Sequence, residues 1–255
     1  MYGVAGDAKY GLYHPKIAAA ITHTSRATLN RLKVLSENAG SKVLYGHTDS
    51  VFCEIGSPAR GEELMRSINA KMHPIEVEFE KWCSSMVLMA KNRYAGRVEW
   101  TDGLQHEPTL YVKGIELKQS RMPPIMKEVM STTLNEILAN KGTEVVNDLL
   151  IPIITSIVNG DVNLDDLCMK GKLEKNLSQY KVLSGTSAGA AWANEFLGKG
   201  YRSGSYFKVI IDDKGKYLAF DEPSDLEGIA NVGYKIMCDR FVIQKVKPYY
   251  DLMGW

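Results

Sequence analysis

The most pointed chemistry in this sequence lies in one hexamer, Tyr45-Gly46-His47-Thr48-Asp49-Ser50. Strand-like runs flank it, Lys42–Tyr45 and Ser50–Cys53, so the polar residues are expected at the tip of a β-hairpin. A carboxylate at such a tip is exposed and held in one direction, which suits a divalent cation. Mg2+ takes oxygen ligands, keeps several of its waters and needs only one or two carboxylates plus substrate phosphates. The same residues equally compose a polar turn. Further along, Ile75, Val77 and Phe79 alternate with Glu76, Glu78 and Glu80. In a strand this puts three carboxylates on one face and three apolar side chains on the other. Taken as a charge run, that acidic face reads as a solvated surface. A third candidate is Gly185-Thr186-Ser187-Ala188-Gly189, which satisfies the G-x-S-x-G pattern of a serine hydrolase elbow. The five histidines, at 14, 23, 47, 73 and 106, all precede Ser187, so the Ser–Asp–His order of the α/β-hydrolases is not available.

Positioning these groups takes both strands and helices. Residues 15–38 read as a helix, with Pro15 at its first position, apolar residues at Ile17, Ile21, Leu29, Leu32 and Leu35, and a stop at Asn38-Ala39-Gly40. A second helix is expected over 60–72. Strands are expected at Val87–Met89, Tyr94–Trp100 and Leu110–Leu117, with a turn at Thr101-Asp102-Gly103. After Pro123-Pro124 the pattern turns helical, over 125–140, 143–158 and 187–198. A hairpin of Tyr206–Ile211 and Tyr217–Phe220 follows, then a last helix from Val232 to Asp251. The fold class is α+β, a β-rich half with helices followed by a mainly helical half, with a boundary near 118–124.

Composition narrows the classes. With 255 residues, one or two domains are expected. Hydrophobic residues make up 45% and charged residues 24%, which excludes a disordered chain. Thirty-one basic residues face 30 acidic ones, so any nucleic-acid surface must be a local basic stripe. Such stripes occur at Lys170, Lys172, Lys175 and Lys181, and at Lys245 and Lys247. The four cysteines form no C-x-x-C pair and are too sparse for a disulfide scaffold, so a reducing compartment is expected. The longest apolar stretch, Leu149–Val158, is too short for a membrane span and no signal peptide is evident; a cytoplasmic, non-secreted protein is expected. The aromatic ending Tyr249–Trp255 either packs back on the helical half or docks a partner.

The hexamer resembles Y-G-D-T-D-S, motif C of family B DNA polymerases, and four other runs are similar to that family in the same order. Tyr2-Gly3 looks like the end of the fingers motif N-S-x-Y-G, with Met1 as the variable position. Pro74–Glu80 resembles the strand P-L-E-L-E-[FY]-E, and Lys91-Asn92-Arg93-Tyr94-Ala95-Gly96 resembles K-K-R-Y-A-G. Lys113-Gly114-Ile115-Glu116 with the run on to Pro124 is similar to the palm-to-thumb junction of phage and archaeal members. The resemblance covers 1–124; the rest is compatible with a thumb.

This resemblance implies the end of the fingers motif over 1–9, a palm over 10–118 and a thumb over 119–255. It implies template-directed DNA synthesis, in which a primer 3′-hydroxyl attacks the α-phosphate of a dNTP and pyrophosphate leaves, with two Mg2+ ions clamping the attacking and leaving oxygens. Asp49 matches the second aspartate of motif C and is the implied catalytic and metal-binding group, with Glu78 and Glu80 as further metal ligands. Tyr2, Gly3 and Thr48 are implied at the nucleotide. Lys91, Arg93, Tyr94, Lys113, Gly114, Lys118 and Arg121 are implied at the primer–template. His47 stands where the family has the first motif C aspartate, and Asn92 where it has a second lysine. No motif A, D-x-x-S-L-Y-P-S, occurs in these residues, nor does the exonuclease domain. The implied enzyme is thus incomplete here and inactive alone. Its partners would be primer–template DNA, dNTP, an N-terminal segment or subunit carrying motif A and the exonuclease, and a sliding clamp at the aromatic ending, with no membrane. A catalytically silent DNA-binding subunit is the alternative, and a serine hydrolase a remote one.

Overall fold

The structure, a computed structural model, describes every residue except Met1 and Ser120, and the side chain of Lys118 is likewise outside the description. The chain divides into two compact units, Met1–Ser84 with Val98–Thr109, and Ser85–Arg97 with Leu110–Trp255.

The first unit opens with the short helix α1 (Tyr2–Gly6) and the long helix α2 (Pro15–Asn38). Pro15 takes the first helical position, where its missing N–H costs nothing, and the His14 ring accepts from the Ile17 N–H at 3.4 Å. Strands β1 (Val43–His47) and β2 (Ser50–Cys53) form the expected antiparallel hairpin, with a register shift between Val43 and Tyr45. Helix α3 (Pro58–Met72) starts on Ser57, whose hydroxyl accepts from Arg60 N–H. Leu32 of α2 and Leu64, Ile68 and Met72 of α3 are the buried centre of this unit, with Val51 and Val77 packed against them.

The segment 74–80 departs from expectation: among the described residues it belongs to no strand of any sheet. The side-chain amide of Asn69 takes the place of a neighbouring strand. It donates to the Val77 carbonyl at 3.0 Å and accepts from the Val77 N–H at 2.8 Å. The alternation survives in part. Glu76, Glu78 and Glu80 are exposed and Val77 and Phe79 turn inward, whereas Ile75 stays 41% exposed. Phe79 stacks on Trp100 with centroids 4.4 Å apart, and a Cβ on Gly61 of α3 would collide with its ring.

Strands β3 (Lys81–Ala90), β4 (Arg93–Thr101) and β5 (Leu104–Lys113) make a sheet in that order. Two-residue connections join them, so neighbours run antiparallel. Asp102 and Gly103 both have positive φ, 49° and 88°, the requirement of a type I′ turn. Strand β5 begins at Leu104 rather than Leu110 and stops at Lys113, and Glu116–Lys118 is a 3-10 turn. The polar run before Leu110, Pro108 included, is tolerated because β5 lies at the sheet edge.

The division into units falls inside these three strands and not at 118–124. Ala95 and Val112 are buried, and Val87, Met89 and Leu110 partly so, in one core with helix α4 (Pro124–Leu138), through its Met126, Val129, Met130 and Leu134. That apolar face ties the middle of the sheet to the helical half.

The second unit continues with α5 (Thr143–Asn159) and α6 (Leu164–Leu167). Its own sheet has the order β6 (Met169–Lys172), β7 (Tyr206–Ile211), β8 (Tyr217–Phe220), so the expected hairpin gains a third strand. Helix α7 (Thr186–Phe196) lies on β8, where a Cβ on Gly189 would stand 3.2 Å from the Ala219 nitrogen. The expected last helix is α8 (Tyr234–Cys238), a π-helical turn Asp239–Ile243 and α9 (Gln244–Met253) in succession. Its aromatic ending packs back: Tyr249 is 1% exposed, and Trp255 meets Tyr250 edge-on at 5.4 Å. Among the described residues no helix is long and apolar enough to cross a membrane.

Candidate active site

The β1–β2 connection is two residues, Thr48-Asp49, and its backbone is unusual. Thr48 has φ 51°, a left-handed conformation that β-branched residues disfavour. The Asp49 N–H donates to the His47 carbonyl at 2.6 Å, closing a tight i→i+2 turn, and the Ser50 hydroxyl donates to the same carbonyl at 3.2 Å. Strain at a turn persists only where the surroundings over-determine it. Here the hairpin is fixed by the Tyr45–Phe52 pair, with ring centroids 5.8 Å apart.

This geometry treats the two polar side chains differently. The His47 ring stacks on Tyr45 at 6.3 Å and shares a 3.1 Å hydrogen bond with the Thr48 hydroxyl. Asp49 is exposed at the apex, with no side-chain partner among the described residues. Glu78 and Glu80 are exposed too, and Glu80 pairs with Lys81 at 3.5 Å. Among the described residues no three of His, Cys, Asp or Glu cluster closely enough to hold a metal. The donor set therefore fits one carboxylate vertex of a water-rich Mg2+ shell and does not fit a complete two-ion cage. Tyr2, 55% exposed, and Gly3 line an open hollow of 530 Å3 with Val4, Gly6, Asp7 and Tyr10.

The residues implied at the nucleotide and metal thus all fall in the first unit, and those implied at the duplex all fall in the second. Lys91-Asn92 connects β3 to β4, and Asn92 has φ 63°. Asparagine is one of the few residues that accept this conformation readily, a local reason for Asn where a lysine is usual. Gly114, φ 65°, closes on that turn: a Cβ there would overlap the Asn92 carbonyl oxygen and stand 3.3 Å from Arg93 Cγ. The structure so gathers Lys91, Arg93, Lys113 and Gly114 into one exposed cationic corner.

One expectation needs correction here. Tyr94, implied at the primer–template, is 3% exposed with its ring 6.1 Å from Tyr111, so it packs inside and is not a surface group. Strand alternation puts it on the face opposite its exposed neighbour Arg93. Arg121 is exposed but engaged, its guanidinium donating to Glu174 at 2.8 Å. Lys118 was expected at the duplex; its side chain lies outside the described residues.

Sequence reasoning missed a cleft of 180 Å3 beside Arg93, lined by Met89, Glu116, Lys245 and Tyr249 among others. Lys245 and Glu116 pair there at 2.6 Å across 129 residues of chain, a separation that leaves no local signal. Burial pushes the Tyr249 phenol up to about 12, with Arg93 pulling it down and Glu116 adding to the rise.

The hydrolase reading fails on geometry. Ser187 is 4% exposed; its hydroxyl donates to the Ser184 carbonyl at 2.9 Å and accepts from the Ser184 N–H at 3.0 Å. It lies in the first turn of α7, tied back to Ser184, and its unit contains no histidine.

Comparison with known proteins decides the family: residues 1–195 match the model for DNA polymerase family B. The chain belongs to that family. It is 30% identical over 202 residues to the DNA polymerase alpha catalytic subunit of Oxytricha trifallax, a match covering 72% of this chain and 13% of that protein. It is 30% identical over 197 residues to the DNA polymerase of Archaeoglobus fulgidus, covering 76% of this chain and 24% of that one. The fold resembles that of the family B DNA polymerase from Pyrobaculum calidifontis, with a TM-score of 0.72, 22% identity, and coverage of 97% of this chain and 31% of the other. The chain thus spans a quarter or less of these two curated relatives. The family B assignment agrees with the α+β architecture and with the ordered motifs from Tyr2 to Pro124.

Proposed function

We propose that this chain is the palm and thumb part of a template-directed DNA polymerase, carrying one of the two metal-binding carboxylates of the reaction centre. The observation that carries this reading is Asp49, presented alone and exposed at a strained hairpin apex in a family B chain. When bound, Mg2+ would supply charge neutralisation for the triphosphate and the attacking oxygen. Asp49 would hold one edge of that ion's water shell. Glu78 and Glu80 would add negative potential from the segment 74–80. Tyr2 and Gly3 would flank the incoming dNTP, with Thr48 beside Asp49 setting the direction of its carboxylate. The corner of Lys91, Arg93, Lys113 and Gly114, with Lys118 and Arg121, would hold primer–template phosphates without reading sequence.

A second carboxylate is required and these residues contain no motif A. The chain therefore works with a further polypeptide segment that brings one, and does not polymerise by itself. Because His47 is committed to Tyr45 and Thr48, its substitution should be tolerated where that of Asp49 is not.

Primer extension tests this. The purified chain with primer–template, dNTPs and Mg2+ should give no product, and adding a polypeptide that carries motif A should restore synthesis. In the restored system Asp49→Asn should abolish extension and His47→Ala should leave most of it. Extension by the chain alone would refute the incompleteness. Full activity of Asp49→Asn would leave a silent DNA-binding subunit as the reading.

A further inference from the structure

The outer face of the second sheet carries a feature that polymerisation at Asp49 does not use. In the β6–β7 ladder Lys172 stands opposite Tyr206 and Lys170 opposite Lys208. Directly opposed residues of antiparallel strands share a face, so these four side chains lie together. Gly171 and Phe207 oppose each other on the inner face, where a Cβ on Gly171 would collide with the Phe207 ring. The outer face is therefore cationic with one large aromatic ring. That ring, Tyr206, is 71% exposed, and the Lys172 ammonium sits 5.4 Å from its centroid.

The charge balance of the face is uneven. Lys208 is neutralised by Asp165 at 2.8 Å and Glu222 at 3.7 Å. Glu174 is shared between Arg121 at 2.8 Å and Lys172 at 3.5 Å, one carboxylate for two cations. Lys170 has no acidic partner among the described residues. The surplus is positive, which suits a polyanion.

An exposed ring on such a face distinguishes between polyanions. Bases in a duplex are already stacked and offer no free π-face to a side chain. Unpaired bases can stack on an aromatic ring while lysines follow the backbone, and this is how sequence-tolerant single-strand sites are built. We propose that the β6–β7 face is a single-stranded nucleic-acid site, with a base stacked on Tyr206 and phosphates held by Lys170 and Lys172. Its residues belong to the second unit and Asp49 to the first, and the proposal stands whether or not the hairpin is catalytic.

Fluorescence anisotropy with the full chain tests it, using an oligothymidylate of roughly 16 nucleotides and a duplex of the same length. Tyr206→Ala should weaken single-strand binding about tenfold and leave duplex binding within about twofold, and Tyr206→Phe should keep the wild-type value. Lys170→Ala should weaken single-strand binding and reduce the slope of log affinity against log salt by about 0.7. Because Tyr206 is exposed, the alanine variant should keep the far-UV circular dichroism of the parent. Unchanged single-strand affinity in Tyr206→Ala, or an equal loss for both nucleic acids, would overturn the proposal. Asp49→Asn, which strikes the polymerase reading, should leave this binding intact, so the two readings fail separately.

Discussion

Gly114→Ala is the most informative single substitution in the cationic corner. Two costs can be separated there. An alanine at φ 65° sits in the left-handed region, which costs an L-residue about 1–2 kcal/mol. Its Cβ would also overlap the Asn92 carbonyl oxygen, a backbone atom that cannot swing aside as a flexible side chain can. Forcing such an overlap costs about 1–3 kcal/mol more. The control is Gly215→Ala in the same unit, where φ is 82° and a Cβ would meet nothing within 4 Å, so only the conformational cost applies. Urea unfolding, followed by hydrogen exchange in peptides from β4, β5 and α4, should put the Gly114→Ala midpoint roughly 1 M below that of Gly215→Ala. The displaced Lys91-Asn92 turn should also weaken duplex binding. Equal midpoints for the two variants would show that Gly114 is not in close contact with that turn.

Three further outcomes follow from the same geometry. Asn69→Ala removes both bonds to Val77 and should cost about 1–3 kcal/mol, with faster hydrogen exchange confined to 74–80; unchanged exchange there would contradict the clamp. Lys199, then the N–H groups of Glu222 and Asp221, hold the Asp225 carboxyl down at about 2. A folded value below the unfolded one gives stability that is complete above about pH 4 and lost as pH falls toward 2. The stability gap between the wild type and Lys199→Met, measured by urea titration at several pH values, should therefore close over that window; a gap constant from pH 5 to 2 would refute the linkage. Burial, followed by the Asp165 charge, pushes the Cys168 thiol up to about 11, so iodoacetamide near neutral pH should leave it unlabelled until urea is added. Rapid native-state labelling would show the thiol to be accessible.

What was legible in the sequence was local. Helix 15–38 could be bounded to the residue because Pro15 and the apolar period mark it, and the Asp102-Gly103 turn because both residues accept positive φ. The Asp49 hairpin was legible because two short apolar strands bracket a polar pair. Strand β6 was not, since Met-Lys-Gly-Lys has neither length nor alternation and is a strand only because β7 offers it a ladder. Residues 74–80 look like a strand but find an asparagine side chain in place of a neighbour. Thr48 in a left-handed conformation contradicts its own propensity, and nothing local forecasts it. The Glu174–Arg121 and Lys245–Glu116 pairs join residues 53 and 129 positions apart, so charge patterning along the chain is blind to them.

The way β3, β4 and β5 are shared between cores bears on how this protein can be cut. A fragment ending at residue 118, where motif similarity suggests a border, would keep Val87, Met89, Ala95, Leu110 and Val112 but lose the α4 methionines and leucine that cover them. Its sheet would carry a bare oily strip and clump on expression. Anyone trimming the molecule for study should leave α4 attached to those strands.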